Sequence, residues 1–165
     1  RGIKSISRIF HMTFIAHRKA NVKIDILNIS SVNGSSVSVG TTYSITGAPT
    51  NTTATLNNGY IVLHNSSSWR LEADCVIQYY FNSISSTKKL EIQFWDGTSY
   101  YGNRGMLEGG INPTVCRSSC SLFIPASSIS STLSLIPRVT ALSGNDLTSF
   151  AGTPSNEIRI IELPV

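Results

Sequence analysis

From Trp69 to Phe81 apolar residues recur at every second position: Leu71, Ala73, Cys75, Ile77, Tyr79 and Phe81. Arg70, Glu72, Asp74, Gln78 and Tyr80 fill most of the gaps. Side chains of an extended chain point alternately to two faces, so this pattern predicts a long strand with one buried and one polar face. Leu90, Ile92 and Phe94 repeat it against Glu91, Gln93 and Trp95. The Ser/Asn/Lys-rich connector between the two runs predicts neighbouring strands of an antiparallel sandwich or barrel.

The rest of the chain is punctuated in the same way. Val22, Ile24 and Ile26 alternate with Lys23 and Asp25, and Asn33-Gly34 is the dipeptide of a tight hairpin turn. Val37 and Val39, a strand around Tyr43 to Ile45, and Tyr60-Ile-Val-Leu-His64 follow, separated by breaks at Gly47-Ala-Pro49 and Asn57-Asn-Gly59. A short Tyr100-Tyr101 strand leads into a Gly/Asn/Pro-rich excursion from Gly102 to Pro113, then strands near 121–124 and 132–140. Ile158, Ile160, Ile161 and Leu163 close the chain with a strand apolar on both faces, as expected of a central strand or one that meets a partner subunit. About eight to ten such strands with no helical periodicity predict an all-β, antiparallel jelly-roll sandwich. No internal repeat points to a propeller or β-helix.

At 165 residues the chain fits a single core, and only 13% of it is charged, against about 25% in ordinary soluble domains. Ser, Thr and Asn fill the deficit, as on proteins that work outside a cell or on a particle surface. Residues 1–20 carry five cations and no acid, so the body, 21–165, has a net charge of −1 against +4 for the whole chain. The basicity therefore belongs to a leading segment, and nucleic-acid binding by the body is not expected. Within that segment Ile3, Ile6, Phe10 and Phe14 are spaced as in a short amphipathic helix, a stalk junction or docking arm. Arg1 as first residue points to a processed or partial chain. No apolar run is long enough to span a membrane as a helix. Cys75 falls on the inward face of the long strand, while Cys116 and Cys120 leave open a bridge within a loop. His11, His17 and His64 do not cluster with them, so neither a metal nor a cofactor is expected.

These residues, in order, carry a family resemblance: Tyr60-Ile-Val-Leu, Trp69-Arg-Leu-Glu-Ala, Glu91-Ile-Gln-Phe-Trp-Asp-Gly-Thr-Ser-Tyr-Tyr-Gly-Asn-Arg-Gly105, and the closing Glu157-Ile-Arg-Ile-Ile-Glu-Leu163. Over residues 21–165 the chain resembles the tumour-necrosis-factor-like jelly roll. That fold is shared with the globular head of the first complement component, and this form occurs at the ends of bacteriophage tail fibres and other virion appendages. Asp74 stands where those domains favour a small residue, and Phe94-Trp95 replaces Trp-Tyr. The resemblance implies a homotrimer on a shaft, contacting a host-surface receptor, glycan or protein, and joined to other virion proteins through the leading segment. A capsid decoration or head-fibre protein, and a secreted complement- or TNF-like ligand, are the alternatives.

No enzymatic constellation stands out. Glu72 and Asp74 share a face, with Glu91 expected on an adjacent strand, but cross-strand pairing with Arg70 or Lys89 accounts for them without a cleft. No Gly-x-Ser-x-Gly elbow or phosphate loop is present. Asn28, Asn33, Asn51 and Asn65 begin glycosylation sequons, which are read as turn chemistry. For receptor binding the candidates are Trp95, Tyr100 and Tyr101 as stacking faces, with Asp96, Asn103 and Arg104 as hydrogen-bonding groups. The same residues also recur in the family pattern, where building the fold is their alternative use. Loops Ser66–Ser68, Asn82–Lys89 and Ser143–Phe150 are comparable candidates.

Overall fold

The computed structural model describes the backbone at 21–30, 38–79, 88–109, 115–143, 147–149 and 156–165. Side chains at 76–79, 88–90, 106–109, 115–117, 142–143 and 147–149 are not included in that description. The leading segment 1–20 and the Asn33-Gly34 turn therefore lie outside the described residues, as does the side chain of Ile77.

Eleven strands run β1 (Lys23–Ile29), β2 (Ile45–Thr46), β3 (Thr55–Asn57), β4 (Tyr60–His64), β5 (Ser67–Tyr79) and β6 (Lys88–Trp95). They continue with β7 (Tyr100–Gly109), β8 (Val115–Ile124), β9 (Thr132–Ser143), β10 (Leu147–Ser149) and β11 (Glu157–Pro164). The only helical turn among the described residues is a 3-10 turn at Ala126–Ser128. The pairing path is β2-β1-β11-β5-β8-β7-β6-β9-β4-β3, with β10 added beside the far part of β5. Every pair on it is antiparallel. Between β8 and β7 only Asn103 and Ser121 are in register, and the path folds there into two facing layers. The first layer is β2-β1-β11-β5-β8 and the second is β7-β6-β9-β4-β3. The result is the expected antiparallel jelly-roll sandwich.

The alternation that predicts β5 is realised: Trp69, Leu71, Ala73 and Cys75 are buried, while Arg70 is exposed and Glu72 and Asp74 are half-buried. Across β5, Ile158 faces Ala73 and Ile160 faces Leu71, so the closing strand is central, between β1 and β5. Ile61, Ile92, Phe94 and Leu135 meet this set from the second layer in one core cluster. Trp69 is fully buried and donates its indole N–H to the His64 carbonyl at 2.8 Å, satisfying the one polar group that burial strands.

Two expectations are corrected. β5 and β6 are not neighbours: two strands, β8 and β7, lie between them in the path, and β5 belongs to the first layer and β6 to the second. The Gly102–Pro113 excursion is in its first part strand, since β7 continues to Gly109. It does so through a bulge, in which Ile92 pairs with Gly105 while Phe94 pairs with Tyr101. Gly102 has φ +80°, and a Cβ there would lie 2.2 Å from the Ser121 carbonyl oxygen, so glycine lets β7 close on β8. In β1 the apolar residues divide between the two faces. Leu27, Ile29 and Asp25 are buried, whereas Val22, Ile24 and Ile26 are exposed.

Asp25 shares the inward face with Leu27 and Ile29. Its carboxylate accepts the backbone N–H groups of Thr50, Asn51 and Thr52, the hydroxyls of Thr50 and Thr52, and the Asn51 amide, at 2.8–3.3 Å. Burial pushes this carboxyl up, but the amides and hydroxyls outweigh it and hold it well below the ordinary range. Beside it, buried Glu162 accepts from Thr53 N–H and hydroxyl, at 2.8 and 2.9 Å, and from the Ser67 hydroxyl at 2.8 Å. Lys23 lies 3.5 Å away. The 50–53 loop thus clasps two carboxylates on β1 and β11, and Asn51 serves as turn chemistry.

Cys120 is a free, buried thiol, as is Cys75. Cys116 and Cys120 are four residues apart on one extended strand, roughly 13 Å by strand rise, which excludes a bridge between them. Desolvation pushes the Cys120 thiol up to about 12, and raises Cys75 well above its ordinary value.

Candidate binding surface

β6 and β7 meet in the turn that holds most of the candidate residues. Trp95 pairs with Tyr100 and Phe94 with Tyr101, so within each pair the two residues share a face. Phe94 is core, which turns Tyr101 inward and sends Trp95 and Tyr100 to the outer face of the second layer.

Asp96 is occupied by the turn itself. Its Oδ1 accepts the Thr98 and Ser99 N–H groups at 2.7 Å each, and its Oδ2 accepts the Tyr101 hydroxyl at 2.7 Å. Desolvation raises the Asp96 carboxyl, and these donors more than compensate, leaving it below the usual range. The bond to Asp96, with partial desolvation, raises the Tyr101 hydroxyl. Asp96 and Tyr101 therefore build the hairpin. Arg104 points to buried Glu91, with Nη1 3.2 Å from Oε2, and neutralises a carboxylate that burial would otherwise penalise.

Trp95 and Tyr100 are joined by a residue that the sequence did not single out. Arg138 on β9 lies two positions beyond Ile136, the cross-strand partner of Trp95. Its guanidinium carbon sits 3.9 Å from the Trp95 ring centroid and 6.0 Å from that of Tyr100. Its Nε donates to the Gly40 carbonyl at 3.2 Å. Only the β6–β9 register brings Arg138 here, more than forty residues after Trp95, so no local signal marks it.

Asn103 is separate from this cluster. It borders a groove of about 690 Å³ on the outside of the first layer, shared with Arg70, Ser121, Phe123 and Leu163. Its neighbours there include the ion pairs Arg70–Glu72 at 2.7 Å and Arg159–Glu72 at 3.3 Å. Glu72 and Glu91 lie in different layers, so the carboxylates considered together in the sequence do not converge.

The register also orients the molecule. Lys23, Ser67, Ile124 and Pro164 lie at one end of the sandwich, with the β6–β7 turn. Tyr79, Lys88, Gly109, Val115 and Ser143 lie at the other. The aromatic cluster thus sits toward the end where β1 begins. Loops 82–89 and 143–150 start from the opposite end and fall largely outside the described residues.

No family model matches the chain, and no curated protein matches it. Among solved structures it is similar to the TNF-family protein Eiger of S. frugiperda, with a TM-score of 0.51 and 12% identity over 86% of this chain and 93% of that one. At that identity the likeness is one of fold: a TNF-like jelly roll.

Proposed function

We propose that this chain is a non-enzymatic, homotrimeric binding module at the tip of a virion appendage, engaging a host-surface receptor of glycan type. One observation carries the oligomeric part of the proposal. The outer face of the first layer displays Val22, Ile24, Ile26 and Phe123 at 46–59% exposure. Half-buried Ile161 and Leu163 continue the β1 part of that apolar surface across β11, as far as the Arg70–Glu72–Arg159 ion pairs that stand between it and Phe123. Soluble monomers rarely present a contiguous apolar sheet face, because about 25 cal/mol is lost for each Å² of apolar surface left in water. Ile24 lies directly opposite Ile161 in the β1–β11 register, so the exposed residues belong to one surface. The groove beside Phe123 lies on the same outer side of the first layer. The neutral, Ser/Thr-rich body and the basic leading segment support mounting on a particle.

A secreted ligand for a protein receptor is the second reading, and the likeness in fold to Eiger favours it. Adsorption tests the first reading. Purified protein given to host cells ahead of intact particles should occupy receptors and lower particle adsorption in proportion to dose. If adsorption is unchanged while residues 1–20 direct a carrier onto capsids, the decoration role takes precedence.

A further inference from the structure

We infer that Arg138, Trp95 and Tyr100 form a binding site for a carboxylate-bearing sugar, an acidic residue of a surface glycan; this rests on the receptor-binding reading. Among the described side chains, Lys23, Arg70, Arg104 and Arg159 each face a carboxylate. No described carboxylate pairs with Arg138. Its guanidinium is instead held by the indole of Trp95 and tethered through Nε to the Gly40 carbonyl. A Cβ at Gly40 would lie 3.1 Å from Arg138 Nη2, so the glycine leaves the guanidinium its space.

A cation fixed in this way, with terminal N–H groups not spent on a counter-ion, is pre-organised for an anion and loses little further side-chain freedom on binding it. The planar fork of arginine matches a carboxylate through two parallel hydrogen bonds. Tyr100 is 43% exposed beside it and offers an apolar ring to the C–H face of a pyranose. A single guanidinium suits one monoanionic carboxylate better than the denser charge of a phosphate polymer, and Arg104, two strands away on β7, is already paired with Glu91. The cluster lies on the layer opposite the apolar face, so trimer formation through that face leaves it accessible.

The test is calorimetric titration of the intact protein with oligogalacturonate and sialyl-lactose, each beside its carboxyl-reduced form. At least one acidic sugar should bind roughly tenfold or more tightly than its reduced form, as expected for charge-assisted hydrogen bonds. Arg138→Gln should erase that preference, Arg138→Lys should keep part of it, and both variants should melt near the parent. Equal affinity for acidic and reduced sugars, or a preference that survives Arg138→Gln, overturns the assignment and leaves the receptor-binding reading standing. Failure to bind all four saccharides also overturns it. Capture of the protein by host cells then decides whether the receptor-binding reading falls too: capture abolished by protease treatment of the cells would point to a protein receptor.

Discussion

Asp96 and Tyr101 show how one side chain can look like a ligand contact and serve the fold. An aspartate followed by Gly-Thr-Ser and two tyrosines offers the groups that sugars favour, yet the Asp96 oxygens are taken by two amides and a phenol within five residues. The prediction at this scale is a division of labour. Tyr101→Phe should lower stability by about 1 kcal/mol, the net worth of one hydrogen bond with some allowance for its charged acceptor, and leave receptor binding unchanged. Trp95→Ala should do the reverse, weakening binding by about 1–3 kcal/mol as for an interface anchor while the trimer persists. Urea melts and a binding titration on both variants check this. Loss of binding in Tyr101→Phe without loss of stability would return Tyr101 to the ligand site. Trp95 and Tyr100 were legible in the sequence because aromatic residues at a turn are conspicuous. Arg138 was not, since its place over the indole depends on a long-range strand register that no local pattern encodes.

At the scale of the element, β5 and β1 mark how far alternation can be trusted. β5 is read correctly because four core residues in succession, Trp69 to Cys75, fall on one face and the polar residues on the other. β1 is less clean: Ile24 and Ile26, with Val22 just before the strand, point outward, while Leu27 and Ile29 are buried on the face of Asp25. The loop amides at Thr50–Thr52, about 25 residues downstream, bind Asp25 on that inward face. Period two gives two faces without saying which is inside, and an acid with enough donors can occupy the inner one. Asp25→Ala should therefore destabilise by about 3–5 kcal/mol, since several donors lose their acceptor together. The acid limb follows from the same clasp. Asp25, Glu162 and Asp96 are all held below ordinary carboxylate values, so the ionised forms belong to the folded state. Their contribution is complete above the unfolded-state values of about 4 and drains away as pH falls through them toward the native ones. Urea midpoints should begin to drop below about pH 4.5, with a shallower acid limb in Asp25→Ala. A midpoint that rises on acidification would contradict the clasp.

For the whole molecule, the two outer faces have different characters. One carries exposed isoleucine, valine and phenylalanine around the Arg70–Glu72–Arg159 ion pairs; the other carries the Trp95–Arg138–Tyr100 stack. A threefold assembly that buries the first and leaves the second in water accounts for both, and obligate interfaces of this kind cover upward of about 2,000 Å². The all-β class and the central closing strand were open to sequence reasoning, because strand periodicity and an apolar last strand are local properties. Which layer faces a partner was not, because it depends on the orientation of β1. Ile26→Asp places a charge on the outer face without touching the core, and should dissociate the assembly while leaving the protomer folded. The most direct test is the mass of the parent protein in solution by light scattering at micromolar concentration. A trimer of roughly three times 17.9 kDa is expected, falling to the single-chain mass in Ile26→Asp. A parent protein that runs as a clean 17.9 kDa monomer would contradict the account.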